Sequence, residues 1–217
     1  RQVFCEANKD GFVLQVAIAD VAEIVEPSSS IDKEALSRGT SIYFPKKVIP
    51  MLPEEISNNL CSLIPNEDRN VLVCKMNFTQ EGEINSYHFS ESIINSHKRF
   101  TYNEVEFLKQ NKDTNLSADI LNSINALEKL TKQLLNNRSK RYALEIESSE
   151  PTLSFGNEGN ISEIFIPKRL FAHQMIEEAM ISANICAAKF IKKHLGFGVY
   201  RIPVSYTHLT LPTTVIV

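Results

Sequence analysis

Two tyrosines and a glutamate stand in surroundings that ordinary packing does not require. Tyr43 lies in Arg38-Gly-Thr-Ser-Ile-Tyr-Phe-Pro, a segment that continues through Val48-Ile-Pro-Met-Leu-Pro to Asn59-Leu-Cys-Ser-Leu. That stretch holds one Gly, three Pro and almost no periodicity. Irregular backbone is costly when buried unless its polar groups find partners. A long ordered loop that carries an aromatic therefore reads first as a binding loop. Tyr102, in Phe-Thr-Tyr-Asn-Glu, is either a helix-start aromatic that packs on a sheet or a ring that positions a ligand. Glu177 sits in Met175-Ile-Glu-Glu-Ala-Met-Ile-Ser-Ala-Asn-Ile-Cys-Ala-Ala188, an apolar, small-residue pattern. A carboxylate there needs a partner, either a ligand hydroxyl or a basic side chain. For Glu178 the expected partner is a Lys or Arg.

Other reactive residue types form no constellation. Cys5, Cys61, Cys74 and Cys186 lack paired spacing and sit among apolar residues, so they read as buried free thiols in a reducing compartment. His88, His97, His173 and His194 make no ligand-spaced pair and read as ordinary hydrogen-bonding histidines. His97-Lys98-Arg99 is a small basic patch, more naturally a solvated face than a nucleic-acid site. Asp20, Asp32, Asp68, Asp113 and Asp119 are scattered, so no metal site is assigned within the chain.

Composition narrows the class. The 217 residues are 43% hydrophobic and 23% charged, ordinary for a globular fold. Net charge is -3 and the pI about 6.0, which is not the basic footprint of a free-standing nucleic-acid binder. The longest apolar runs are strand-sized, so none predicts a membrane span. No leader pattern opens the chain, and a first residue of Arg rather than Met suggests a piece of something longer.

The elements that must position these residues are legible from pattern. Phe12 to Ala19 predicts a buried strand ended by Asp20. Ser30 is the expected cap of a short helix over 31–38. Val71 to Phe78 and Glu83 to Ser92 predict a hairpin turning at Gln80-Glu-Gly82. Tyr102 to Lys109 predicts a short helix. Ile120, Leu121, Ile124, Leu127, Leu130 and Leu134 fall on one stripe of a longer surface helix capped by Asn115 or Ser117. A basic, polar exit follows over 136–141. Residues 152–155 and 161–166 flank Gly156-Asn-Glu-Gly159 as a second hairpin. The longest helix spans 169–195, where Lys192, Lys193, His194 and then Gly196 supply the stop. Ala179, Ala183 and Ala187 make a thin stripe for close approach. Strands first, then helix, hairpin and helix, define an α+β domain: a curved, mostly antiparallel sheet packed with helices.

Val16-Ala-Ile-Ala-Asp20, the 36–63 block, Thr101-Tyr102 and the Met175 to Ala188 run occur in order over roughly residues 3–202. Together they resemble the RNB catalytic domain of the ribonuclease II / ribonuclease R family. The resemblance implies a processive 3′-to-5′ exoribonuclease, cytoplasmic and monomeric. Such an enzyme hydrolyses single-stranded RNA to nucleoside 5′-monophosphates with Mg²⁺, with RNA-decay machinery a candidate partner. By the same resemblance Tyr43 stacks on a terminal nucleotide near the scissile bond, and Tyr102 helps position the 3′ end. Glu177 contacts the terminal nucleotide, where a ribose hydroxyl would favour RNA over DNA. Tyr43 and Glu177 are thus the expected catalytic residues.

Several departures qualify that inference. The family's metal-binding aspartate cluster precedes the strand leading into Val3, and Arg1 stands about where its last member would be. The main Mg²⁺ ligands are therefore expected upstream of residue 1, and the chain alone is expected to be inactive. Ile146 occupies the place of a base-clamping Phe, and the family's downstream arginine is expected beyond the genuine sequence. The domain is read as residues 1–203. Residues 204–217 resemble a translated sequencing adapter and are set aside as a non-native tail. The alternative reading is a non-catalytic RNA-binding or scaffold module of the same fold.

Overall fold

The structure, a computed structural model, describes residues 1–45, 47–110, 116–140, 151–156 and 160–200. Ile146, Gly159 and the 204–217 tail lie outside these residues.

Strands β1 (Gln2–Ala7), β2 (Gly11–Ala19), β5 (Asp68–Thr79) and β6 (Ile84–Asn95) form one sheet in the order β1-β2-β5-β6. Every pairing in it is antiparallel. Two two-stranded units stand apart: β3 (Ile42–Phe44) with β4 (Lys47–Ile49), and β7 (Thr152–Phe155) with β8 (Ile161–Phe165). The helices are α1 (Ser30–Arg38), α2 (Tyr102–Gln110), α3 (Ala118–Lys140) and α4 (Phe171–Leu195). The α+β expectation holds.

Period-two alternation selects the buried face. Phe12, Leu14 and Val16 of β2 register against Phe78, Met76 and Cys74 of β5, and all six are buried. Helices α3 and α4 close over them with Ala126, Leu127, Leu130 and Leu134, and with Met175, Ala179, Ala183 and Cys186. At about 25 cal/mol per Å² of apolar surface, this shared core is the main stabilising term. Ala179 and Ala183 are buried, whereas Ala187 is only partly so. Ala17, Val71 and Val73, of opposite parity, make a smaller cluster with Leu63 and Ile94. Gly11 opens β2 at φ +147°, where an added Cβ would lie 2.0 Å from the Phe78 carbonyl oxygen. Only Gly permits so close an approach of β2 to β5.

Several boundaries differ from expectation. The cap of α1 is Ser29 rather than Ser30: its hydroxyl accepts from the Asp32 N–H at 3.2 Å. The 136–141 exit is helical as far as Lys140, because the apolar stripe of α3 keeps it seated on the sheet. The Pro-rich block is not wholly irregular, since it contains the β3–β4 hairpin and a π-helical turn over Glu55–Leu60. Cys5, Cys74 and Cys186 are buried free thiols, but Cys61 is only partly buried, at the end of that turn.

Candidate functional site

Tyr102 is set by a reciprocal cap. The Thr101 hydroxyl accepts from the Glu104 N–H at 3.2 Å, and the Glu104 carboxylate accepts from the Thr101 N–H at 2.6 Å and its hydroxyl at 2.9 Å. The same hydrogen bonds from Thr101 hold the Glu104 carboxyl below its usual range. Tyr102 is thereby fixed as the first residue of α2.

From the facing helix comes His173. Its Nδ1 accepts from the Leu170 N–H at 3.1 Å, and the His173 backbone N–H donates to the Leu170 carbonyl at 3.1 Å. This closes the first turn of α4 and fixes the imidazole. The Tyr102 ring stacks on it, with centroids 3.9 Å apart and planes inclined by 24°. Glu177 lies four residues along α4 from His173, on the same face.

Two arginines hold Glu177. Arg138, in the last turn of α3, donates from Nη1 to Glu177 Oε1 at 3.2 Å and to Glu178 Oε1 at 2.8 Å. Arg169 donates from Nη2 to Glu177 Oε2. The Glu177 side chain is 36% exposed and that of Glu178 only 6%. Hydrogen bonding to Glu178, and then to Glu177, raises the pKa of Arg138 against the opposing effect of burial. The ion pair expected for Glu178 is present, and Glu177 has one as well.

Tyr43 is elsewhere. It registers against Val48 in the β3–β4 hairpin and is 77% exposed, so a core role is excluded. The hairpin is tied down locally. Arg38 donates to the Pro50 carbonyl at 2.8 Å, and the Met51 N–H donates to the Ser41 hydroxyl at 2.9 Å. Among the described residues no hydrogen bond or ring contact joins Tyr43 to Tyr102, His173 or Glu177. The structure thus brings Tyr102 and Glu177 to one face through His173, and leaves Tyr43 on a separate, solvent-facing hairpin. Cavities of about 740, 560 and 210 Å³ are lined by none of these three residues.

Sequence reasoning missed Arg138, Arg169 and the stacking role of His173. The His173–Glu177 spacing of four was an available signal. Arg138 carried none, because its partners lie 39 and 40 residues away.

Among the described residues no group of three or more His, Cys, Asp or Glu is arranged to hold a metal ion. These residues alone do not fit a divalent cation. No described helix is long and apolar enough to cross a membrane.

The elements above define an α+β domain with an aromatic–carboxylate face at the junction of α2, α3 and α4. The RNB domain family's sequence profile matches residues 2–209, and the chain belongs to that family. It is 42% identical to Ribonuclease R of Vibrio parahaemolyticus over 212 residues, which are 96% of this chain and 25% of that protein. Against Ribonuclease R of Escherichia coli the identity is 43% over 204 residues, 92% of this chain and again 25% of the relative. The chain therefore spans about a quarter of the length of these relatives. The solved Mycoplasma genitalium RNase R in complex with ribose methylated single-stranded RNA superposes with a TM-score of 0.84 at 34% identity, covering 89% of this chain and 30% of that one.

Proposed function

We propose that the protein to which this chain belongs is a processive 3′-to-5′ exoribonuclease, hydrolysing single-stranded RNA to nucleoside 5′-monophosphates with Mg²⁺ in the cytoplasm. The observation that carries this reading is the close structural match, over most of the chain, to a ribonuclease R solved with single-stranded RNA. Three residues take roles in it. The exposed Tyr43 ring is free to stack on a base, a contact worth about 1–3 kcal/mol that tolerates any sequence. Tyr102, backed by His173, orients the 3′-terminal nucleotide. Glu177 accepts a ribose hydroxyl, which selects RNA over DNA. A carboxylate offers about four acceptor sites, and two arginine N–H groups leave room for another donor at this partly exposed group.

Mg²⁺ ligands would come from acidic residues outside the described portion, where paired metal ions could stabilise both the attacking and leaving oxygens. The coding sequence upstream of Val3 should specify several aspartates, and their absence would remove the enzyme reading. Purified on its own, the chain should leave 5′-labelled single-stranded RNA uncut in Mg²⁺. Robust trimming would refute the placement of the metal ligands. In the full-length enzyme, Tyr43→Ala should alter the final product length or the rate, and an unchanged product ladder would make Tyr43 merely structural.

A further inference from the structure

We infer that Arg138 is a positioning residue that sets the orientation of Glu177, and that Glu178 holds Arg138 for that task. Ribose recognition would then depend on an α3 side chain that itself touches no substrate. The inference rests on reading Glu177 as the acceptor of the terminal ribose hydroxyl.

The geometry is specific. Glu177 and Glu178 are consecutive on α4, so their side chains point in different directions and neither can steady the other. Only a group from another element can bridge them, and Arg138 does so from α3 with one nitrogen, at 3.2 and 2.8 Å. The two ends of this bridge differ. Glu178 is 6% exposed and needs a permanent cation, which anchors the guanidinium. Glu177 is 36% exposed, and an isolated Glu there would sample many rotamers. Arg138 holds its Oε1 and Arg169 its Oε2, so the carboxylate plane is defined by donors on both oxygens. Binding groups work best when their own rotamers are locked by neighbours in this way. A pair serving only to tie α3 to α4 would need Arg138 and Glu178 alone; the contacts to Glu177 would be surplus.

The test uses the full-length protein with two substrates, an oligoribonucleotide and the same chain ending in a 2′-deoxynucleotide. The readout is the ratio of kcat/KM for the two, with thermal unfolding measured in parallel. Glu177→Gln should lower the ribose preference about tenfold or more, the scale of a hydrogen bond to a charged acceptor. Arg138→Lys keeps a charge against Glu178 but loses the planar fork. Glu178→Gln keeps the shape but loosens the anchor. Each should lower the preference at least about threefold while the unfolding temperature of at least one stays near that of the parent. Arg138→Lys combined with Glu177→Gln should be no worse than Glu177→Gln alone, because the first acts through the second. If Glu177→Gln leaves the ribose preference intact, the role of Glu177 fails and the inference falls with it. If Glu177→Gln lowers the preference but Arg138→Lys and Glu178→Gln do not, or if the double variant shows additive losses, Arg138 is only a tie between helices.

Discussion

Replacing Gly11 by Ala should be among the most destabilising single changes in this chain. Gly11 lies at φ +147°, a region that side-chain-bearing residues avoid at a cost of about 1–3 kcal/mol. The new Cβ would meet the Phe78 carbonyl oxygen at 2.0 Å, the Thr79 carbonyl carbon at 2.7 Å and the Phe78 carbonyl carbon at 2.9 Å. All three are backbone atoms, so no rotamer change relieves the clash. The β2–β5 ladder must open by more than an ångström at Gly11–Thr79, adding about 1–3 kcal/mol of overpacking and lost hydrogen bonding. The sum is about 2–6 kcal/mol, a large part of the 5–15 kcal/mol typical of a domain. At roughly 2–4 °C per kcal/mol, the melting point should fall by about 4–24 °C. Gly39→Ala is the internal control. Its φ is +70° and nothing lies within 4 Å of the added atom, so only the backbone penalty of about 1 kcal/mol applies. Urea titrations of both variants, followed by circular dichroism and compared at equal m-value, measure the difference. A midpoint shift for Gly11→Ala no larger than that for Gly39→Ala would refute the reasoning.

The packing of α3 on the sheet gives a further check. Leu130 is fully buried and Leu36 is 82% exposed, so Leu130→Ala should cost about 2–5 kcal/mol and Leu36→Ala less than about 0.5 kcal/mol. Similar values for the two would contradict the seating of α3. The Cys5 thiol supplies a pH test, since burial pushes it up from 9.0 to about 12. It stays protonated when folded but ionises above pH 9 when unfolded, so its contribution is complete below pH 9. That contribution drains away between pH 9 and 12 at up to about 1.4 kcal/mol per pH unit. Cys5→Ala should flatten the decline of urea stability with pH over that window, and an identical slope would show that Cys5 does not contribute.

Strands β2, β5 and β6 were legible from the near-continuous apolar run Phe12 to Ala19 and from the turn signal at Gln80-Glu-Gly82. Strand β1, with a short and mixed run over Gln2–Ala7, was not predicted. The ends of β5 and β6 were not legible either. Asp68, Arg69 and Asn95 continue β5 and β6 through backbone pairing and an Asn95–Asp68 side-chain hydrogen bond of 2.8 Å, and polar residues at a strand end carry no periodic signal. The β3–β4 hairpin escaped for a related reason, as three residues per strand are too few to define a period. Tyr102 and Glu177 could be picked out in the sequence as a helix-start ring and as an acid in apolar surroundings. The sequence was silent on their partners, because the ring of His173 and the guanidinium of Arg138 arrive from distant parts of the chain.

The order of residues alone determined the class of fold and the family, and it pointed to the side chains proposed to meet a nucleotide, since these follow from local pattern and motif. Tertiary structure alone decided how those side chains are held. Stacking Tyr102 on His173 and bridging two neighbouring carboxylates with Arg138 both require α2, α3 and α4 to meet. The meeting is enforced by apolar burial against β2 and β5, a non-directional force whose outcome local sequence does not specify.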